Sequence, residues 1–285
     1  MQDGAFARAW TLSDAALAAR DPATRDDPRQ PYHLRWVWDG GPWLGRQVLV
    51  RCYHGLGDTL NFVRLLPLLR RDAAAVTLEL QPELAGLLRR TPGADRVVPF
   101  DTANPLPPSE CDIEIMELPH ALRLDQDTIP SAPARLASSP RLTSLQSAIG
   151  LCWQAGDWDP ARSIVAAELI EACMVGGVRL FSLQRGPAAA AATPAFVNRD
   201  DSSMAIEDTA ALIRRLDLVV SVDTMVAHLA GTLGTPTLLL LQAEADWRWM
   251  HGTDRSPWYE SVRLLRQRRP GDWGEPLAEL RRLLG

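Results

Sequence analysis

A buried-strand run that ends in hydroxyl and carboxylate residues and turns at once into a helix leaves a chain few architectures. Here the run is Leu218 to Gly231, Leu-Val-Val-Ser-Val-Asp-Thr-Met-Val-Ala-His-Leu-Ala-Gly. A helix N-terminus leaves backbone N–H groups without intrahelical partners and carries about half a positive charge, so it favours an anion by roughly 0.3–2 kcal/mol. The amides at Thr224, Met225 and Val226 therefore form a candidate phosphate site, and a nucleotide diphosphate is its natural guest. His228 lies one turn further along the same helix face. It has two readings, a further donor to that anion or a hydrogen-bonded core histidine.

A chain of 285 residues accommodates two ordinary α/β domains. Its 46% hydrophobic and 23% charged content is that of a globular protein. No stretch approaches the roughly 20 apolar residues of a membrane span. The first residues lack the pattern of a secretory signal, so the cytoplasm is the expected location. Cys52, Cys111, Cys152 and Cys173 lack the spacing of a zinc site and read as buried thiols. A net charge of −5 argues against nucleic acid as a partner. The arginine pairs at Arg70, Arg89, Arg214 and Arg281 fall near expected helix ends, where cations complement the dipole. They leave room for an acidic substrate or for peripheral contact with a membrane surface.

Apolar spacing organises the rest. Val48 to Tyr53 reads as a strand, Gly55 to Asp58 as a turn, and Thr59 to Arg70 as a helix. Strands are expected at 76–80, 96–100 and 112–116, with a helix over 82–90. The segment 125–144, dense in proline and serine, reads as a connection, which places the domains at 1–144 and 145–285. Beyond it come strands at 148–153, 178–184, 218–222, 236–242 and 262–266, and helices at 165–175, 207–215, 225–233 and 275–284. Two alternating β/α halves imply two doubly wound domains, with the ligand in the cleft between them.

The turn His54-Gly55-Leu56-Gly57-Asp58-Thr59 stands at the carboxyl end of the first regular strand, the edge where open α/β sheets bind ligands. Its glycines permit positive φ and close backbone approach to a substrate. Asp58 has two compatible readings, a helix N-cap and a general base taking a proton from an acceptor hydroxyl. Gln184 and Arg185 end a strand, suited to a base or ribose contact or to a loop role. Trp247, Trp249, Trp258 and Tyr259 would stack on a ligand ring or fill a core.

His54-Gly-Leu-Gly-Asp-Thr-Leu-Asn-Phe62 with Leu65 to Pro67 resembles the N-terminal motif of family 9, heptosyltransferase-like, glycosyltransferases, and Ser221 to Gly231 is similar to their donor-binding motif. Gly150 to Gln154, Arg162-Ser163-Ile164, Ser182 to Gly186 and the tryptophan-rich 246–259 resemble a subgroup often fused to tetratricopeptide repeats. That subgroup usually carries Glu-Gln where this chain has Tyr53-His54, and this chain has no lysine.

The resemblance implies a GT-B fold: two Rossmann-like domains facing across a cleft, the acceptor in the first, the nucleotide-sugar in the second, and a C-terminal helix able to cross back. It implies Asp58 as catalytic base, with His54, Gly55 and Gly57 on the acceptor side. Thr224, Met225, Val226 and His228 would hold the donor diphosphate, Asp223 would face the donor sugar, and Ser163 and Gln184 would complete the donor site. Arg162 falls where relatives place a phosphate-binding lysine, its other reading being an ion pair with Asp157 or Asp159. The expected activity is inverting sugar transfer from a nucleotide-diphosphate sugar, a co-substrate, to a hydroxyl of a glycan or protein, with no cofactor and no metal. A non-catalytic nucleotide-binding or scaffolding module is the alternative. A dinucleotide enzyme would need a third glycine after Gly57.

Overall fold

The computed structural model describes residues 1–130, 147–156, 158–191, 196–199 and 204–285. The chain divides into two compact units at Pro130. The domain boundary expected at 144/145 lies outside the described residues.

Unit 1 opens with α1 (Phe6–Ala18) and an extended leader, then runs β1 (Gln47–Arg51), α2 (Leu56–Phe62), α3 (Leu66–Arg70), β2 (Ala75–Leu80), α4 (Pro82–Leu88), β3 (Arg96–Pro99), β4 (Cys111–Glu114) and α5 (Leu118–Ala121). Its four strands are all parallel in the order β3-β2-β1-β4. The helix expected over 59–70 begins earlier, at Leu56, and is broken by a 3-10 turn at Val63–Leu65. Pro67 explains the break, since it has no N–H to offer the carbonyl of Val63. Glu117 ties down the leader: its carboxylate accepts from the amides of Trp38 (2.8 Å) and Glu114 (2.9 Å). Burial and the neighbouring Glu114 carboxylate push the Glu117 carboxyl up to about 7 against the pull of these amides.

Charge is buried inside this sheet. Arg51 on β1 bonds Glu79 on β2 at 2.8 Å and Asp112 on β4 at 2.8 and 3.1 Å, all three residues being buried. Removing Arg51 from this cluster costs about 3–5 kcal/mol, because two buried carboxylates are then left without a counter-charge.

Unit 2 runs β5 (Ala148–Cys152), α6 (Ala166–Cys173), β6 (Arg179–Ser182), β7 (Phe196–Arg199), α7 (Ile206–Ile213), β8 (Leu218–Val222), α8 (Met225–Thr232), β9 (Thr237–Leu241), β10 (Val262–Arg266) and α9 (Gly274–Leu284). All strands are parallel, in the order β10-β9-β8-β5-β6-β7. Renumbered within the unit this is the doubly wound dinucleotide-fold order 3-2-1-4-5-6, which reverses between β5 and β8. Strands β5, β8 and β9 are buried at every residue, as the near-continuous Val and Leu runs of a doubly covered parallel sheet require. Leu218, Val220 and Val222 join Leu169, Cys173, Leu277 and Leu280 in one core layer beneath α6 and α9. Helix α9, which the resemblance allows to cross back, packs against α6 inside unit 2. Strand β7 has no counterpart in the sequence reading.

All four cysteines are free and buried, and burial pushes the Cys111 and Cys173 thiols up to about 11 and about 12. Gly150 is fixed by packing: a Cβ there would lie 2.5 Å from Leu216 and 2.6 Å from Leu183. Gly150→Ala is therefore expected to destabilise unit 2 by about 1–3 kcal/mol through overpacking. Denaturant unfolding checks this, and an unchanged midpoint refutes it.

Candidate functional site

The order reversal opens a crevice at the carboxyl ends of β5 and β8, where doubly wound sheets bind ligands. Two segments meet there, Cys152-Trp153-Gln154 after β5 and Asp223-Thr224 after β8. Thr224 is the N-cap of α8, with extended backbone (φ −145°, ψ 173°) and a side chain that accepts from Val226 N at 3.2 Å. The Ala227 and His228 amides bond the Thr224 carbonyl at 3.1 and 3.4 Å. Of the three amides read from sequence as a phosphate site, Val226 is thus satisfied by the cap. The Thr224 and Met225 amides make no hydrogen bond to the described residues and are the two left for an anion.

Arg162 stands beside this helix start. Its Nη1 donates to the Asp223 carbonyl at 3.1 Å, its Nε lies 3.9 Å from Asp159, and its guanidinium stacks 4.4 Å from the Trp158 ring. Asp159 in turn accepts from Gln242 Nε2 at 2.7 Å, which ties this loop to the end of β9. Of the two acidic partners read for Arg162, Asp159 is near but not in tight contact, and Asp157 lies outside the described residues. The side chain is 12% exposed, and its Nε is buried without a hydrogen-bond partner among the described residues. A guanidinium so placed retains donors for an anion. Trp158, 79% exposed, covers its outer side.

Ser163 and Gln184 shape the crevice. Ser163 Oγ accepts from Ala155 N at 3.1 Å and closes the loop that carries Arg162. Gln184, buried at the end of β6, accepts from the amides of Trp153 (3.0 Å) and Gln154 (2.9 Å) and donates to the carbonyls of Gln154 and Arg185, both at 3.2 Å. In this structure its carboxamide braces the crevice floor. Arg185 reaches away to Met204 O (2.9 Å) and Thr209 Oγ1 (3.3 Å) on the α7 side.

Asp223 and His228 form the inner wall, with His228 Nε2 3.9 Å from Asp223 Oδ1. Trp249, Trp258 and Tyr259 are almost fully buried, so the core reading of this aromatic group holds for them. Burial pushes the Asp223 carboxyl up to about 6, against the pull of the Trp249 indole and of Arg162 and Arg248.

In unit 1 the corresponding edge lies at the ends of β1 and β4. Gly55 is the N-cap of α2 and Asp58 its third residue, so Asp58 is not itself the N-cap; its Oδ2 accepts from Gly55 N at 2.9 Å. The positive φ that glycine permits is not used at either position: Gly55 has φ −71°, and Gly57 is not among the left-handed residues. What Gly55 provides is close approach, since a Cβ there would sit 3.2 Å from Asp58 Oδ2. His54 is set by a residue that the sequence reading passed over: buried Glu114 lies 3.0 Å from His54 Nδ1 and accepts from Tyr53 N at 3.1 Å. Only the strand pairing Arg51↔Glu114 signals this proximity. Among the described residues no cluster of three or more His, Cys, Asp or Glu could hold a metal, and no helix is long and apolar enough to cross a membrane.

Comparison with known proteins bears on both units. Residues 202–270 match the family model of Glycosyltransferase family 9 (heptosyltransferase). The chain is 26% identical over 311 aligned positions to Protein FlbA of Caulobacter vibrioides, covering 95% of this chain and 51% of that protein. It thus spans about half the length of the curated relative it matches. The structure of E. coli ADP-heptose lps heptosyltransferase II superimposes with a TM-score of 0.54 at 14% identity, covering 83% of this chain and 98% of that one. A family 9 glycosyl transferase from Veillonella parvula gives 0.54 at 12% identity, over 80% and 88% of the two chains. E. coli heptosyltransferase WaaC with ADP-2-deoxy-2-fluoro heptose gives 0.51 at 13% identity, over 82% and 97%. The fold is GT-B, and the family 9 resemblance read from the motifs is met over the segment that contains Thr224 and His228.

The raised Asp223 pKa sets a pH dependence. Its folded value exceeds the ordinary 3.8, so between about pH 4 and 6 the folded state holds the proton that the unfolded state has lost. Stability from this group is present at low pH and falls as pH rises through that window, by an order of 1–3 kcal/mol. Asp223→Asn is expected to flatten this part of the unfolding free-energy profile measured from pH 4 to 7. A profile parallel to wild type would overturn the assignment.

Proposed function

We propose that this protein is an inverting glycosyltransferase that takes a sugar from a nucleotide-diphosphate donor and needs no metal. The observation that carries the reading is the unspent Met225 amide at the start of α8, with the Arg162 guanidinium bonded to the adjoining Asp223 carbonyl. A diphosphate there meets a helix-dipole field, a backbone donor and a fixed cation that offsets the growing charge of the leaving group. This is the electrostatic task a metal ion performs in other transferases. The ADP-sugar analogue named with WaaC and the ADP-heptose named with heptosyltransferase II support a nucleotide-sugar as the co-substrate.

Asp58 is the base of this reading. Its Oδ2 bond to Gly55 N orients the carboxylate, and a carboxylate accepts through both oxygens, so capping and proton transfer are compatible. The base takes the proton of an acceptor hydroxyl as that oxygen attacks the anomeric carbon, and the bond to the diphosphate breaks on the opposite face. The acceptor is a hydroxyl of a glycan or of a protein.

Isothermal titration with ADP, GDP, UDP and dTDP is expected to find one diphosphate binding better than millimolar. Arg162→Ala should weaken that binding roughly 10–100-fold, as loss of a charge-assisted hydrogen bond does. Asp58→Asn should leave it unchanged while abolishing sugar transfer to glycan and protein acceptors. Binding of none of the four removes the donor site, and full transfer by Asp58→Ala removes the base. Intact nucleotide binding with no transfer by wild type to any acceptor would favour the non-catalytic module.

A further inference from the structure

His228 is held on three sides, by Asp223 of the donor site and by Tyr259 and Trp249, which the donor-site reading does not use, and this inference rests on that reading. Its Nδ1 lies 2.9 Å from the Tyr259 hydroxyl, while Nε2 faces Asp223 Oδ1 at 3.9 Å. The Trp249 ring stacks on the imidazole, with centroids 5.3 Å apart and planes at 26°. Trp249 is itself fixed from behind: Arg266 Nη2 donates to its carbonyl at 3.0 Å and to that of Met250. Met250 has φ 51° and ψ 164°, a backbone conformation that residues with a side chain rarely adopt.

The approach of Tyr259 has a specific requirement in the sequence. Gly231 lies three residues after His228 on α8, hence on the same face. A Cβ at Gly231 would come within 2.6 Å of the Tyr259 ring, so only glycine lets the phenol reach the imidazole. Glycine in a helix interior is disfavoured relative to alanine, and here that penalty has a packing reason.

A neutral imidazole carries one N–H and one lone pair, and the hydrogen bond made by one ring nitrogen decides which nitrogen holds the proton. At 3.9 Å the Asp223 carboxylate is beyond hydrogen-bond distance, but its negative charge favours the proton on the nearer nitrogen, Nε2. A phenol O–H can donate to the lone pair then left on Nδ1. We propose that Tyr259 is a positioning residue: by donating to Nδ1 it holds His228 as the neutral Nε2–H tautomer and presents that N–H to the diphosphate of the nucleotide donor. Trp249 and Gly231 fix the plane of the ring and the approach of the phenol.

Tyr259→Phe removes one oxygen and keeps the ring against Gly231. By isothermal titration with the tightest of ADP, GDP, UDP and dTDP, it is expected to weaken binding roughly 2–12-fold, the range of one hydrogen bond. In a His228→Gln background, where a carboxamide N–H stands in for Nε2–H, the same change should weaken binding no further. Nitrogen-15 NMR of the imidazoles should show His228 as the Nε2–H tautomer in wild type and a mixture in Tyr259→Phe. Wild-type affinity in Tyr259→Phe, an undiminished loss in the His228→Gln background, or an Nδ1–H wild-type tautomer each overturns the proposal. If wild type binds none of the four diphosphates, the donor reading fails by itself, and the tautomer alone decides whether Tyr259 fixes the ring.

Discussion

Parallel pairing of β5 with β8 is the constraint on which unit 2 depends. Strand order reverses there, so successive connections run outward in opposite directions along the sheet and leave the carboxyl ends of the two central strands uncovered. Helix α6 packs with α9, while α7 packs with α8. The Leu218, Val220 and Val222 side chains enter the first layer, and the alternate residue Ser221 reaches Thr224 Oγ1 at 3.2 Å. The same alternation that buries β8 therefore brings a hydroxyl beneath the start of α8. Fold and site are here one arrangement, because the strand that supplies core also aims the helix end.

With no lysine in the chain, cationic work falls to arginine, and several arginines brace the described structure. Arg51 bridges two buried carboxylates in unit 1, Arg185 spans to α7, and Arg266 holds the carbonyls beneath His228. A guanidinium has five donors in a rigid plane, so it can brace backbone on one edge and still offer N–H groups on another. Arg162 fits that pattern: one nitrogen is on the Asp223 carbonyl, and the buried Nε has no hydrogen-bond partner among the described residues. A lysine at that place could supply charge but not this fixed plane.

The elements were legible wherever a strong period or a cap announced them. Strands β1, β2, β5, β8, β9 and β10 and helices α6 to α9 stand where the apolar spacing puts them, within a residue or two at their ends. Strand β7 was not legible, since Phe196–Arg199 is short and alternation over four residues is too weak a signal to separate from a loop. The helix through Pro67 was read as continuous because its apolar positions keep the helical period across the break. The N-cap reading of Asp58 sets the helix start three residues too late: a Gly-Leu-Gly-Asp turn offers two helix starts, and only the backbone shows that Gly55 is the cap.

What the sequence determined by itself is local and periodic: two β/α halves, a strand that passes into a helix at Thr224, a glycine turn ending in Asp58, and four cysteines whose spacing reads as buried thiols. What tertiary structure alone decided is which polar atoms meet. Glu114 beside His54, Gln184 across the ends of β5 and β6, and Tyr259 on His228 join residues distant along the chain, and no spacing rule encodes them. The physical reason is range. Backbone periodicity is set within a few residues, whereas the partner of a buried polar group is settled only when whole strands and helices pack and every donor left inside must find an acceptor.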